Sequence, residues 1–334
     1  MMLTCYVSTQ ADQPERRKIM FRGVIKKLAM TVITHKNPDL DAGLATYLVH
    51  RVAEMLTGTR IVLLREYVPA GQRGSWSEED ETCFVVDTGG EYDPHRRLFD
   101  HHFAPLAKDT SISAASLVWH ALLSEYDHNE AIREWLEAIR ELVVLVTDGD
   151  HGRAHKLSFT TGLHALVSNI RAKRRGNDDG IMDGMFELFD AITEQLEYQA
   201  RVAREAENHI FKITEGIAFV KDGSSDVTRH ALENNVLVLY VNTTLPNTVA
   251  VGIQRSNERL DIDVGEVVEV MKRLAAEAGD EDVLHELNKL FVHPSGFGAM
   301  RGTGKHPDPS PVDVETERKL GVYLVRAARE LGIV

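Results

Sequence analysis

Two cysteines, Cys5 and Cys83, are too few for a disulfide framework and show no metal-ligand spacing. A reducing cytoplasm is the expectation that follows. Basic residues are outnumbered, 38 against 51 acidic, for a net charge of −13. That balance argues against a broad footprint on the phosphate backbone of a duplex. It leaves room for a small basic groove or a metal that supplies positive charge locally. No apolar run is long enough to span a bilayer, so no membrane partner is expected. Internal repeats and low-complexity tracts are also missing.

What remains is an ordinary globular composition, 43% apolar and 27% charged. A chain of 334 residues can bury a sizeable core and is long enough for two domains. Short β-branched or apolar runs at 31–34, 60–64 and 83–86 read as strands. A helical pattern covers 42–56 between the first two. Strands alternating with helices predict an α/β fold, an N-terminal mostly parallel sheet with helices on both faces. The segments 113–126 and 129–147 read as helices, and a long polar-faced helix over about 182–211 reads as a connector. Beyond it, strands are expected at 216–220, 236–241, 248–253 and 260–262. Helices follow at 264–278, 281–289 and 314–331. The expected organisation is a tail at 1–30, a catalytic domain at 31–180, a linker helix at 181–212 and a smaller α/β substrate domain at 213–334.

Hard metal ligands recur in a fixed order: His35-Lys-Asn-Pro-Asp39-Leu-Asp41, then Asp87, then Asp100-His101-His102, then Asp148. The first three groups follow strand ends, where open α/β sheets bind their ligands. Imidazoles mixed with carboxylates suit a hard divalent ion such as Mn²⁺. Six ligands are too many for one metal and about right for two, a device for displacement at phosphorus. The loop can offer His35 and Asp39 to one metal and Asp41 to its neighbour, with Asp87 as the bridge. His101 and Asp148 complete the second site; Asp150 stands two residues from Asp148, and the choice between them stays open. His102 then faces the substrate as a donor or general acid. His151 and His155 read as exposed polar residues. His293 and Arg301, on a glycine-rich turn, are expected to clamp a substrate phosphate, since arginine offers a planar fork.

The order His-x-Asn-Pro-Asp-x-Asp-Ala, strand-terminal Asp and Asp-His-His resembles the DHH phosphoesterase superfamily. That group includes single-strand exonucleases, small oligoribonucleases, linear-dinucleotide phosphodiesterases and family II inorganic pyrophosphatases. The resemblance covers most of residues 31–304. It implies two Mn²⁺ (or Mg²⁺) ions held by His35, Asp39, Asp41, Asp87, His101 and Asp148, with His102 beside them. The stretch from Val85 to His102 and the turn His293-Pro-Ser-Gly-Phe297 are similar to a narrower branch, the melanocyte-proliferating-gene exonuclease family. That branch usually carries a second His and a Glu in its first motif, where this chain has Pro-Asp-Leu-Asp-Ala.

Three functions are compatible with these residues. The first is a two-metal phosphodiesterase or exonuclease on short single-stranded oligonucleotides or dinucleotides. The second is a phosphoanhydride hydrolase acting on pyrophosphate or a nucleotide. The third is a non-catalytic nucleotide-binding module, which missing ligands would favour. Few aromatics stand near the candidate residues (Phe103 and Phe297), so a short substrate fits better than a long strand. The expected partner is a phosphate-containing small molecule or short oligonucleotide, with a homodimer left open.

Overall fold

A computed structural model describes residues 20–104, 106–153, 162–245, 248–303 and 307–334. Two compact units divide the chain, Met1–Glu197 and Tyr198–Val334. The division falls inside one helix, not at either end of a separate linker. Residues 1–19 of the expected tail, and His155, lie outside the described residues.

The first unit begins with α1 (Arg22–Lys27), β1 (Ala29–His35), α2 (Leu40–Thr57), β2 (Val62–Val68) and β3 (Cys83–Val86). Strands β4 (Tyr92–Asp93) and β5 (Leu98–Phe99) follow. They form one sheet in the order β2-β1-β3-β5-β4. Its pairs are parallel except for β4 against β5. β1 alternates Met30 and Val32 with Thr31 and Ile33, so each set faces one side.

Met30, Val32, Phe84, Val86 and Phe99 pack into a large helical core. It is built by α2, α3 (Ala114–Glu125), α4 (Glu130–Ala138), α5 (Arg140–Asp150), α6 (Leu163–Lys173) and the first half of α7 (Asp178–His209). Ile33, Val68, Cys83, Val85 and Leu98 form a separate small cluster closed by Trp76. Among the described residues no helical side chain enters that cluster. The expected helices on both faces are therefore replaced by helices on one face and the 69–82 loop on the other.

Three local boundaries differ from expectation for physical reasons. Phe21 and Val24 are fully buried against the helical core, so residues 20–30 are part of the first unit. Two anchors three residues apart set one face of a short helix but give too little periodicity to announce it. The expected helix at 129–147 is two helices that break at Ile139. Its apolar stripe runs unbroken through the break. The connector α7 buries Ile181, Met182, Met185 and Phe189 in the first core, and its later Val202 and Ala206 join a cluster of the second unit.

The second unit continues with β6 (Ile210–Thr214), β7 (Ile217–Lys221), α8 (Ser225–Asn234), β8 (Leu237–Asn242) and β9 (Ala250–Arg255). After these come α9 (Val264–Glu277), α10 (Glu281–Lys289), β10 (Phe291–Val292), β11 (Gly298–Arg301) and α11 (Val314–Glu330). The sheet order is β10-β11-β9-β8-β7-β6, antiparallel except for β7 against β8. Helices α9, α10 and α11 cover one face, and α8 with the end of α7 covers the other. The strand expected at 260–262 is a turn. Leu260 is largely exposed, and Arg259 folds onto Asp261 through two hydrogen bonds of 2.9–3.0 Å.

Candidate metal centre

The carboxyl ends of β1, β3 and β5 converge, and each delivers side chains to one place. His35 ends β1. Its Nδ1 lies 3.0 Å from the Lys36 carbonyl, so that nitrogen carries the hydrogen. Nε2 is then the lone-pair nitrogen of the neutral ring, and it faces Asp87 Oδ2 at 3.1 Å and Asp39 Oδ2 at 3.7 Å. A lone pair aimed at two carboxylates requires a proton or another cation between them. Burial works against the proton, but Asp39 and Asp87 outweigh it and push the His35 pKa up to about 11.

Asp39 uses its two oxygens differently. Oδ1 caps α2, accepting from the Asp41 and Ala42 amides at 3.1 Å. Oδ2 is the one beside His35. Asp41, in the first turn of α2, is buried, and the Ala114 and Ala115 amides of α3 donate to it at 2.7 and 2.8 Å. Burial, followed by the charges of Asp87, Asp150 and Asp39, raises its pKa well above the usual carboxylate range. Asp87 follows β3 with φ +54°, a left-handed conformation that costs a non-glycine residue energy and clusters at functional sites. The loop between His35 and Asp39 has a second such residue, Asn37 at φ +56°. Its amide donates to Asp178 at 3.0 Å and its carbonyl accepts from Arg171 at 3.1 Å.

His101 lies at the centre. Its Nε2 is 3.6 Å from Asp41 Oδ2, 3.6 Å from Asp87 Oδ1 and 3.5 Å from Asp150 Oδ2. Neither His101 Nε2 nor Asp87 Oδ1 has a hydrogen-bond partner among the described residues, although both are buried. Orphaned buried polar atoms are costly in a native core. Ligands about 2.0–2.2 Å from one ion stand roughly 3.0–3.6 Å from each other. The observed spacings fit that polyhedron. Three overlapping groups can each hold an ion: His35, Asp39 and Asp87; Asp87, His101 and His102; His101, Asp150 and His151.

Asp100 and His102 make a different kind of pair. The Gly90 amide donates to Asp100 Oδ2 at 2.6 Å, and the His102 amide and Nδ1 reach Oδ1 at 3.0 and 2.9 Å. Asp100 is buried, whereas the His102 side chain is 59% exposed. The Asp100 hydrogen bond, opposed by partial burial and helped by Asp87, raises the His102 pKa to about 9. Burial raises the Asp100 pKa, but His102 and the amides overcome it and hold it below its ordinary value.

Residues 31–146, about a third of the chain, match the family model MYG1_exonuc, described as an uncharacterised protein family (UPF0160). The match contains His35, Asp39, Asp41, Asp87, His101 and His102. No curated protein matches the chain. No helix among the described residues is long and apolar enough to cross a membrane.

The matched stretch ends before the last candidate ligand. The structure does not bring Asp148 to the cluster. Its Oδ1 accepts from Arg153 Nε and Nη2 at 3.1 and 2.8 Å, and it lines an apolar groove with Leu142, Leu145 and Ile192. Asp150 is two residues on, about 200° around the same helix. That rotation places it beside His101. Burial, then the charges of Asp87 and Asp39 against that of His101, raises the Asp150 pKa. His151 is partly buried rather than exposed; its Nε2 lies 2.7 Å from the Ile112 carbonyl. Asp150 is the last residue of α5 and His151 its C-cap, so the helix end presents the two together.

The two second-unit candidates fare differently. Arg301 is buried and spends its donors on Glu286, Asp308 and the carbonyls of Val249 and Ser310. That network leaves it nothing for a substrate phosphate, so the expected clamp is an internal brace. His293 keeps a partly exposed ring, 4.4 Å from that of Phe297, with Nδ1 at 2.8 Å from Ser295 Oγ.

Proposed function

We propose that this chain is a two-metal phosphohydrolase of the DHH phosphoesterase type, acting on phosphodiester bonds of short single-stranded oligonucleotides or dinucleotides. The observation that carries the reading is His101 Nε2, buried and unpartnered among Asp41, Asp87 and Asp150. Further support comes from the match to a family model whose name denotes an exonuclease. One ion is assigned to His35, Asp39 and Asp87, the other to Asp41, Asp87, His101 and Asp150. Mn²⁺ fits this mixture of imidazole and carboxylate, and Mg²⁺ is the alternative. Such a pair, when bound, supplies Lewis acidity at phosphorus and an activated water.

The chain's own groups do the rest. Asp87 directs Oδ2 to His35 and Oδ1 towards His101, so one carboxylate serves both halves. Backbone hydrogen bonds hold the Asp39 and Asp41 carboxylates against rotation. Asp100 fixes the hydrogen of His102 on Nδ1 and leaves Nε2 to carry a second proton to a phosphoryl or leaving oxygen.

The test is Mn²⁺-dependent turnover of a 5′-labelled short oligoribonucleotide, with pyrophosphate in parallel and Asp87→Asn as control. Stepwise loss of nucleotides, abolished in the variant, supports the reading. Phosphate release from pyrophosphate alone moves the activity to phosphoanhydrides. Silence on both, with metal bound, overturns the substrate class.

A further inference from the structure

A cavity of about 240 Å³ opens beside the carboxylates, lined on one side by Asp39, Asp41 and Asp150. Its other side comes from α6, through His164, Ser168 and Arg171. Spacings of four and three residues put these on one face of the helix. His164 packs close to α5: a Cβ added to Gly149 would lie 1.5 Å from its Nε2. The α6 wall is thus set directly against the helix that carries Asp150.

Arg171 is the cation among the described residues that line this cavity. A guanidinium has five N–H donors, and here one group, Nη2, is spent on the Asn37 carbonyl at 3.1 Å. Its Nε is buried with no hydrogen-bond partner among the described residues. Asp39 lines the same cavity and turns to His35, and among the described residues it forms no direct ion pair with Arg171. An arginine sheltered beside a metal-binding carboxylate without closing on it keeps donors free for an anion brought to that metal. Charge balance points the same way. Asp39, Asp41, Asp87 and Asp150 cancel two divalent ions, so an anionic substrate must find its surplus positive charge elsewhere.

We infer that Arg171, with Ser168 beside it, binds the phosphoryl group of the substrate through the non-bridging oxygens. This rests on the two-metal reading above. A planar fork suits two such oxygens, and the Ser168 hydroxyl can donate to one of them. The competing role is structural: through Asn37 the same side chain could merely hold the His35–Asp41 loop. The two roles differ in sign at the metal. Removing a loop support weakens metal binding, whereas removing a neighbouring positive charge leaves it unchanged or tightens it.

The experiment titrates Mn²⁺ calorimetrically into metal-stripped full-length wild type, R171Q and R171K. Inorganic phosphate and a phosphorothioate dinucleotide are then titrated into the Mn²⁺-loaded proteins. Glutamine keeps a donor for the Asn37 carbonyl and loses the charge. The expected result is Mn²⁺ affinity in R171Q equal to wild type or a few-fold tighter. Phosphate and dinucleotide Kd should rise about 10-fold to 100-fold, with R171K in between. A shift for the dinucleotide alone assigns the contact to the diester, and a shift for both assigns it to phosphoryl oxygens in general. Phosphate and dinucleotide binding within twofold of wild type overturns the inference, as does loss of Mn²⁺ in step with phosphate. Wild type that takes up no Mn²⁺ removes the metal centre itself, a failure distinct from that of Arg171.

Discussion

His101 Nε2 stands 3.5 Å from Asp150 Oδ2, while Asp148, one helical face away, is paired with Arg153. The two carboxylates therefore carry opposite expectations. Asp150→Asn should weaken Mn²⁺ binding by about 100-fold or more, beyond the roughly 10-fold to 100-fold effect of losing an outer-shell partner. Asp148→Asn should leave it within twofold. Calorimetry on both variants decides the matter, and equal losses in the two would contradict the assignment.

This pair also marks where sequence reading stops. The parallel sheet was legible because 31–34, 60–64 and 83–86 are short apolar runs with a helical pattern between the first two. His35, Asp39, Asp41, Asp87 and His101 were readable as candidates because His35, Asp87 and His101 stand at or just after a strand, and Asp39 and Asp41 in the loop and first helical turn after β1. Asp148 against Asp150 was not, because the choice depends on a helix phase that the break at Ile139 resets. Arg301 looked available because its partner Glu286 lies 15 residues away in sequence. Arg171 was hidden in a charged run, and only the placement of α6 beside Asp150 gives it a neighbour.

The metal-free protein should lose stability as pH rises. The His35 pKa is raised to about 11, so the folded state holds that proton more tightly than the unfolded chain. Its contribution is complete below about 6.5, the unfolded value, and fades towards 11. Asp41 and Asp150 are also raised, chiefly by burial. Their contributions are complete below about 3.9 and are lost as pH climbs through their folded values. Metal binding runs the other way, since it needs neutral imidazole and ionised carboxylates. The Tm of stripped protein should fall from pH 7 to 10, and Mn²⁺ uptake at pH 7 should release at least one proton. Binding enthalpies that do not change with the buffer's ionisation enthalpy would count against this.

Asp100 acts on His102 and not on metal. Asp100→Asn should lower the His102 pKa from about 9, leave Mn²⁺ affinity within a few-fold, and reduce kcat. His102→Ala should cost about 10²-fold to 10⁴-fold in kcat, the usual range for a general acid. An NMR titration of the ring and steady-state kinetics read the two effects separately. A kcat drop in Asp100→Asn with an unshifted His102 would refute the positioning role.

Gly149 keeps α5 and α6 close. The Cβ of Gly149→Ala would fall on His164 Nε2, so one of the two must move. Overpacking of this kind costs about 1–3 kcal/mol. Thermal unfolding should show it, and His164→Ala should rescue part of the loss. A variant with unchanged Tm would mean that His164 moves aside at no cost.

The central claim is that six side chains hold two ions, with Asp87 shared between them. Its most direct measurement is the number of Mn²⁺ ions per chain at equilibrium dialysis, for wild type and Asp87→Asn. Two ions in wild type and at most one in the variant are predicted. Two ions retained without the Asp87 carboxylate, or none in wild type, would contradict it.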